Sequence, residues 1–373
     1  MTLVHYPVAI AVSVASLCVS VRAQEPSVPT IRLGAPTGSS TEPFTEVESV
    51  VDLGGEVVLV VDSRERRLAL VDLASGTVRS VGRTGAGPGE FRLVARALPR
   101  PEGGAWIVDF GLRRLLPVNQ DGSFGNPILF PTSLQLRSAD ASGALYGEAF
   151  LPRVQGQPSD SMYIVRWNPT ESRVDTLMKY NALVSASVIT RGGTFRPFAP
   201  VDAWDVLPNG DVVVIEAERY RMVAYRDGRP VRTTSVAWTP LRVTDADKEA
   251  FRRKQESQRP MTLGSPGATP AARPRPPTEF PAMFPPFGGQ GLGGRYAHVS
   301  PTGQVWVQRL GSVADSIPRH DVIDGNTGAL LMRVDSPPRS SIVGFGPGVV
   351  YLMERDADDV LFLRRFAIPA VRR

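Results

Sequence analysis

The sequence predicts an all-β fold, a six-bladed β-propeller of four-stranded antiparallel blades in which an N-terminal strand closes the last blade. Three observations lead to this prediction. The 373 residues include 35 glycines and 34 prolines, which disfavours a helical bundle and favours short strands joined by tight turns. A glycine turn recurs six times, each followed by an apolar strand. Each repeat spans roughly 50 residues, the size of a propeller blade.

The repeat is a β-hairpin whose turn is flanked by an acid and a base. An apolar strand ends in an acidic residue, and an arginine follows five positions later at the start of the next apolar strand. The three clearest pairs are Asp62 with Arg67, Asp109 with Arg114, and Glu216 with Arg221. A charge pair across such a turn contributes little energy where it is exposed, but it helps to set the strand register. The acids are therefore interpreted as hairpin residues.

The chain contains a short strand-like run, Thr30 to Gly34, that has no hairpin partner of its own. The sixth repeat ends too close to the C-terminus to form a fourth strand. Pairing the N-terminal run with the sixth blade would close the ring and cover an exposed edge. The sequence predicts that Thr30 to Gly34 is the outer strand of that blade.

Residues 1–23 are predicted to be a signal peptide. Val8 to Val21 is an apolar run too short to span a bilayer, and Val21 and Ala23 are small residues at the positions that signal peptidase reads. The remaining chain, 24–373, is predicted to be one exported domain, either periplasmic or extracellular. Cleavage would also remove Cys18, the one cysteine, so that disulfides and thiolate sites are excluded from the exported domain.

One segment between the first two repeats is specific enough to suggest a family. The run Val81-Gly-Arg-Thr-Gly-Ala-Gly-Pro-Gly-Glu-Phe91, together with the acid–arginine hairpins, resembles the NHL-type repeat of secreted bacterial six-bladed propellers. The resemblance implies a TolB-like propeller that is exported. It implies no single activity, because such propellers include binding scaffolds as well as hydrolases and lyases.

Signatures of catalysis, cofactors and nucleic-acid binding are weak. The sequence has no Gly-x-Ser-x-Gly motif, and its glycine run lacks the lysine and helix of a phosphate loop, so that no cofactor is predicted. The formal net charge of +5 is small for the length, which argues against a nucleic-acid surface. Four acids near the predicted inner strands are the available metal ligands, and each is better explained as a solvated or turn-capping residue. They are Glu46, Glu48, Asp202 and Asp205.

The long loops all fall on one face of the predicted propeller, and this face is expected to carry function. They are 151–160, 181–200, 239–294 and 309–318. The insertion 239–294 is predicted to begin with a surface helix, Thr244 to Gln258, capped by Thr244. A Pro- and Gly-rich stretch follows, for which a disordered linker is an open alternative.

The sequence therefore predicts an exported, monomeric and non-catalytic binding module with its ligand site on the long-loop face. The partner would be a protein, a peptide or an anionic small molecule, with no nucleic acid and no transmembrane segment. The alternative is a metal-dependent lactonase-like enzyme or another hydrolase or lyase of this propeller type. Arginine and neighbouring polar residues before the inner strands are the candidate ligand-binding residues, with 239–294 as a mobile cover. They are Arg83, Arg191, Arg196, Arg295, Tyr296 and His298.

Overall fold

A computed structural model describes residues 28–131, 134–150, 162–171, 173–180, 196–257, 278–288, 295–313 and 315–369. Within these ranges the chain forms six antiparallel sheets arranged as a six-bladed β-propeller, which confirms the predicted fold. In each blade the strands follow chain order from the innermost position outwards. No helix in the described ranges is long and apolar enough to cross a membrane.

The bounds of the strands are as follows. Blade one contains Val47–Gly54, Val57–Asp62, Arg67–Asp72 and Val78–Val81. Blade two contains Val94–Pro99, Ala105–Asp109, Arg114–Val118 and Ile128–Leu129. Blade three contains Leu134–Ala139, Leu145–Phe150, Met162–Asn168 and Arg173–Tyr180.

The second half of the ring has the same plan. Blade four contains Ala203–Val206, Val212–Glu216, Arg221–Arg226 and Arg229–Ser235. Blade five contains Ala297–Val299, Gln304–Gln308, Arg319–Asp324 and Leu330–Asp335, and blade six contains Ser340–Gly346, Val349–Arg355 and Leu361–Ala367. Between blades one and two, Arg83–Thr84 pairs in parallel with Glu90–Phe91.

The N-terminus closes the ring, but with a different segment from the one predicted. Gly38–Ser39 pairs antiparallel with the last strand of blade six and is its outer strand. Thr30–Arg32 instead pairs in parallel with the outer strand of blade five, as a fifth strand there. The assignment of Thr30 to Gly34 to the last blade was therefore wrong. Gly38 and Ser39 carry no apolar pattern that would have marked them as a strand.

The hydrophobic core consists of separate layers between neighbouring blades. One cluster joins blades one and two, another joins blades two and three, and the series continues to the cluster that joins blade six to blade one. A strand between two such layers is buried on both faces, which explains the continuous apolar run Val57–Asp62. The sheets are therefore held face to face around the axis rather than around one central core.

The acid–arginine hairpins have the predicted register, but the acids have a further role. Asp62 lies opposite Arg67, and Asp109 lies opposite Arg114. Asp62 is buried and accepts hydrogen bonds from the backbone N–H of Thr45, at 2.7 Å, and of the residue after it. Asp109 accepts equivalent bonds from two successive N–H groups just before the inner strand of blade two. These carboxylates hold the entry of the inner strand as well as the hairpin.

The insertion between blades four and five is docked at both of its described ends. Helix α1, Asp245–Ser257, confirms the predicted helix, and Thr244 accepts a hydrogen bond from the N–H of Asp247 as its N-cap. The Asp247 carboxylate accepts the Ser312 hydroxyl at 2.6 Å and the Val313 N–H at 3.0 Å, both in the loop of blade five. Because Asp247 is 2% exposed, this contact anchors the helix to the propeller.

An aromatic cluster forms a small core under the insertion. Phe251 of α1 is 2% exposed, so the prediction of a helix lying on the surface was incomplete: one of its faces is buried. Phe198, Phe251, Phe280 and Phe284 pack with ring centroids 5.0–5.9 Å apart. Residues 278–288 of the Pro- and Gly-rich stretch are part of this core, whereas 258–277 and 289–294 lie outside the described residues.

Candidate functional site

The innermost strands of successive blades lie side by side around the central axis, and polar groups link them from blade to blade. The Ser49 hydroxyl accepts the Ala97 N–H at 2.8 Å, joining blade one to blade two. Arg96 donates to the carbonyl oxygen of Arg137 at 3.1 Å, joining blade two to blade three. The Tyr351 hydroxyl joins blade six to blade one. These bonds satisfy polar groups that would otherwise face an apolar interface.

Asp205 links three blades. Its carboxylate is 2% exposed and accepts the Ser138 hydroxyl of blade three at 2.7 Å. It also accepts a hydrogen bond from Nη2 of Arg295, in the segment before blade five, at 2.7 Å. A third donor is the N–H of Val299 on the inner strand of blade five, at 2.8 Å. A buried carboxylate needs this many donors to offset its desolvation.

Glu148 has a similar role beside Asp205. It lies on the second strand of blade three, and its Oε1 accepts Arg137 Nη1 at 2.8 Å and the Trp204 indole N–H at 2.7 Å. The Arg137 guanidinium also lies over the Trp204 ring, 5.5 Å from a ring centroid. Arg137 is thus oriented by an ion pair and a ring face together.

Three arginines converge on this part of the channel. Burial and the positive charges of Arg295 and Arg137 lower the pKa of Arg96 to about 10, in spite of nearby Glu48 and Asp205. Burial, again with Arg137 as a repelling neighbour, lowers the pKa of Arg295 although Asp205 raises it. The side chain of Arg295 is nevertheless 29% exposed, as expected for a group that lines an internal channel. The arginines therefore produce a positive potential there.

His298 lies on the inner strand of blade five, beside these arginines. Burial, Arg295, His320 and Arg137 all hold the pKa of His298 well below its usual range, so that its imidazole is neutral at pH 7. Its ring centroid lies 6.3 Å from that of Phe345 on the inner strand of blade six. We call Arg96, Arg137, Glu148, Trp204, Asp205, Arg295 and His298 the channel cluster.

The channel cluster has more donors than acceptors. Its two carboxylates are occupied by N–H and O–H donors, whereas Nε of Arg137 and Nε of Arg295 are buried without a hydrogen-bond partner among the described residues. A guanidinium has five N–H donors, and a carboxylate or phosphate matches its fork. An anion is the group that this arrangement can accommodate.

The structure brings only some of the predicted site residues together. Arg295 and His298 belong to the channel cluster, and Tyr296 is half-buried against the core between blades four and five. Arg83 is 81% exposed and pairs with Glu90 at 2.7 Å, and Arg196 is 55% exposed and pairs with Glu279 at 3.2 Å. None of the described ion pairs joins Arg83 or Arg196 to the channel cluster, and Arg191 lies outside the described residues.

Of the four acids considered as metal ligands, Glu48 and Asp205 both lie near Arg96 and raise its pKa. Asp205 is held in the network above, and Asp202 accepts the Ala217 N–H at 2.8 Å while burial raises its pKa. Glu46 and Glu48 are exposed. Within the described ranges, no three His, Cys, Asp or Glu side chains are grouped as a cation would require.

Sequence reasoning missed Arg96, Arg137, Glu148 and Trp204. The sequence does contain a signal for the two arginines. Each follows apolar residues within a predicted inner strand, in the runs Val94–Leu98 and Leu134–Ser138. A charged side chain at such a position is seldom buried unless it has a partner. The candidate arginines were those that precede the inner strands, whereas Arg96 and Arg137 lie within these strands. Glu148 lies five residues after the glycine of its turn, a spacing similar to that of Asp62, so the hairpin interpretation covers it and hides its contact with Arg137.

Comparison with known proteins supports the fold alone. No family model matches the chain, and no curated protein matches it. A crystal structure of a suspected exported protein from Bacteroides fragilis NCTC 9343 is similar with a TM-score of 0.50 and 12% identity, over 91% of this chain and 99% of that one. A member of the DUF4221 family from Bacteroides vulgatus is similar with a TM-score of 0.50 and 8% identity, over 89% and 97% of the two chains.

A gluconolactonase from Xanthomonas campestris has a TM-score of 0.45 and 12% identity, over 90% of this chain and 98% of that one. At these identities the similarity extends to the propeller architecture and no further.

Proposed function

We propose that this protein is an exported, non-catalytic binding module that holds an anionic group of its ligand at the channel cluster. The observation that carries the proposal is the convergence of Arg96, Arg137 and Arg295 beside carboxylates that are already occupied. At a partly buried site, three guanidinium groups attract an anion more strongly than fully exposed surface arginines do.

The electrostatics support an anion rather than a cation. Burial and then the charges of Arg295 and Arg137 lower the pKa of Arg96, ahead of the raising effects of Glu48 and Asp205. For Arg295, burial lowers the pKa most, and the effect of Asp205 outweighs that of Arg137, so Arg96 is the arginine whose charge is least compensated. An anion bound between these arginines would relieve the repulsion among them and would be held by charge-assisted hydrogen bonds. A divalent cation would meet the same repulsion and would find Asp205 already occupied by donors.

Export is part of the same proposal. It is supported by the apolar run and small residues of 1–23, which lie outside the described residues, and by the resemblance of Val81–Phe91 to NHL-type repeats of secreted propellers. We propose a periplasmic or extracellular location and a TolB-like role as an interaction module. Intact-mass measurement of exported protein should show the loss of residues 1–23.

The docked insertion suggests how ligand access is limited. Helix α1 and residues 278–288 pack on the loop of blade five, and the insertion leads directly into Arg295 and the inner strand of that blade. We propose that the insertion forms one side of the entrance to the channel cluster. The sequence predicts that 239–294 is a mobile cover, whereas its described ends, α1 and residues 278–288, are docked on the propeller.

The test uses phosphate and acetate as probes and the indole N–H signal of Trp204, in protein labelled with ¹⁵N-tryptophan, as the readout. Binding at the cluster should shift this signal in a saturable way, because its N–H is bonded to Glu148, the partner of Arg137. Arg96→Ala should weaken the affinity at least about threefold, since it removes one of three converging charges without leaving an acid unpaired.

Arg83→Ala is the matched control, because Arg83 is an exposed arginine paired at the surface. It should bind both probes as the wild type does. The absence of any saturable shift in the wild type, or equal affinities for folded Arg96→Ala and the wild type, would overturn the proposal. The competing proposal, a metal-dependent hydrolase or lyase, would gain support from a stoichiometric metal ion in the purified protein.

A further inference from the structure

An aromatic series begins at the channel cluster and runs into the interface between blades five and six. The ring of His298 lies 6.3 Å from Phe345, and Phe345 lies 5.5 Å from Trp306. Trp306 in turn lies 6.0 Å from His320. Trp306 and His320 are buried, whereas His298 and Phe345 are half-buried and retain accessible surface.

The accessible end of this series is next to the arginines. His298 is three residues from Arg295, whose positive charge helps to lower the pKa of His298. The neutral ring of His298 presents an aromatic face rather than a charge. A pair of aromatic rings, His298 and Phe345, therefore adjoins the site at which an anion would bind.

We infer that the ligand is an aromatic carboxylate or a similarly flat apolar acid, with its carboxylate on the channel arginines and its ring against His298 and Phe345. This inference rests on the proposed function and adds the class of ligand. Burying the exposed part of Phe345 under a flat ring gains apolar contact as well as ring–ring packing, which a small inorganic anion cannot provide. A sugar acid would place hydroxyl groups against the ring of Phe345, which offers them no hydrogen-bond partner.

The two ends of the site carry separate tryptophan reporters. Trp204 is bonded to Glu148 beside Arg137, and Trp306 packs behind Phe345. In protein labelled with ¹⁵N-tryptophan, acetate should shift the Trp204 signal alone, whereas benzoate should shift the signals of both. Trp106, which stacks on Arg100 in blade two, is the internal reference and should not move. Benzoate should bind about three- to tenfold more tightly than acetate.

Substitutions at Phe345 test the apolar half. Phe345→Leu keeps an apolar side chain but removes the ring, and it should bring the affinity for benzoate to within about twofold of that for acetate. The Trp204 shift should be retained. Leu129→Ala, at an apolar residue that is 77% exposed on the outer strand of blade two, is the control and should change neither affinity.

The outcomes separate the two proposals. If neither probe shifts Trp204, the proposed function fails. If both probes bind with equal affinity and Trp306 does not move, anion binding stands and the aromatic class of ligand is overturned. Unchanged preference for benzoate in folded Phe345→Leu overturns it as well, because the ring would then bind elsewhere.

Discussion

Removal of the Asp205 carboxylate should destabilise the propeller more than removal of any exposed acid. In Asp205→Ala, the Arg295 guanidinium loses its 2.7 Å partner, and the Ser138 hydroxyl and Val299 N–H lose theirs. Breaking one side of a buried ion pair costs about 3–5 kcal/mol, because the remaining charge is left uncompensated. An orphaned buried hydrogen-bond donor costs about 1–3 kcal/mol, but these losses belong to one network and are not additive.

The side chain of Arg295 is 29% exposed, so water can partly replace its partner. We therefore expect the lower end of that range, a loss of about 3 kcal/mol in the free energy of unfolding. Urea unfolding followed by far-UV circular dichroism measures it. Asp245→Ala is the control, because that carboxylate is 98% exposed and pairs with Lys248 on the same helix. It should leave the midpoint unchanged. A loss below about 1 kcal/mol in Asp205→Ala would refute the reasoning.

Three further predictions follow from the structure. Deletion of 24–34 removes the fifth strand of blade five together with the buried side chain of Leu33, and it should lower the melting temperature. Deletion of 24–40 also removes the outer strand of blade six, so it should lower the melting temperature further and cause aggregation on heating. Equal melting of the two would contradict this. Burial lowers the pKa of His320 to about 4, below its unfolded value, so the free energy of unfolding should fall as pH falls from about 6.5 to 4. His320→Gln should flatten this pH dependence, which is measured by urea unfolding at each pH. An unchanged slope in the variant would count against the prediction. Asp247→Ala removes the bonds that hold α1 to the loop of blade five. Limited proteolysis should then cleave the helix faster than in the wild type, while the global melting temperature stays unchanged. Identical cleavage rates would show that Asp247 does not anchor the helix.

The sequence was most informative where its signal is local. The hairpins at Asp62 and Asp109, their register with the facing arginines, and the helix capped by Thr244 follow from turn chemistry and capping over a few residues. Such contacts lie within one element, so they can be read from spacing alone. The count of six blades follows from the same repeated spacing.

The closing strand shows where this kind of reasoning stops. Thr30–Arg32 has the composition of a strand and does form one, but on blade five. Gly38–Ser39 has no such composition and forms the strand that closes blade six. The length of chain between the two positions, and the edge that each can reach, decide the pairing. Strand propensity carries no information on either.

By itself, the sequence determined the class of fold and the number of blades, because each depends on periodic local patterns. Only the tertiary structure decided which charged residues meet. Arg96, Arg137 and Arg295 come from three different blades, and the bond that Asp205 makes to Arg295 spans 90 positions of the sequence. Blade geometry brings the inner strands together at the axis, and there Arg96, Arg137 and Arg295 lie close enough to lower one another's pKa. That proximity has no counterpart in the linear spacing of residues.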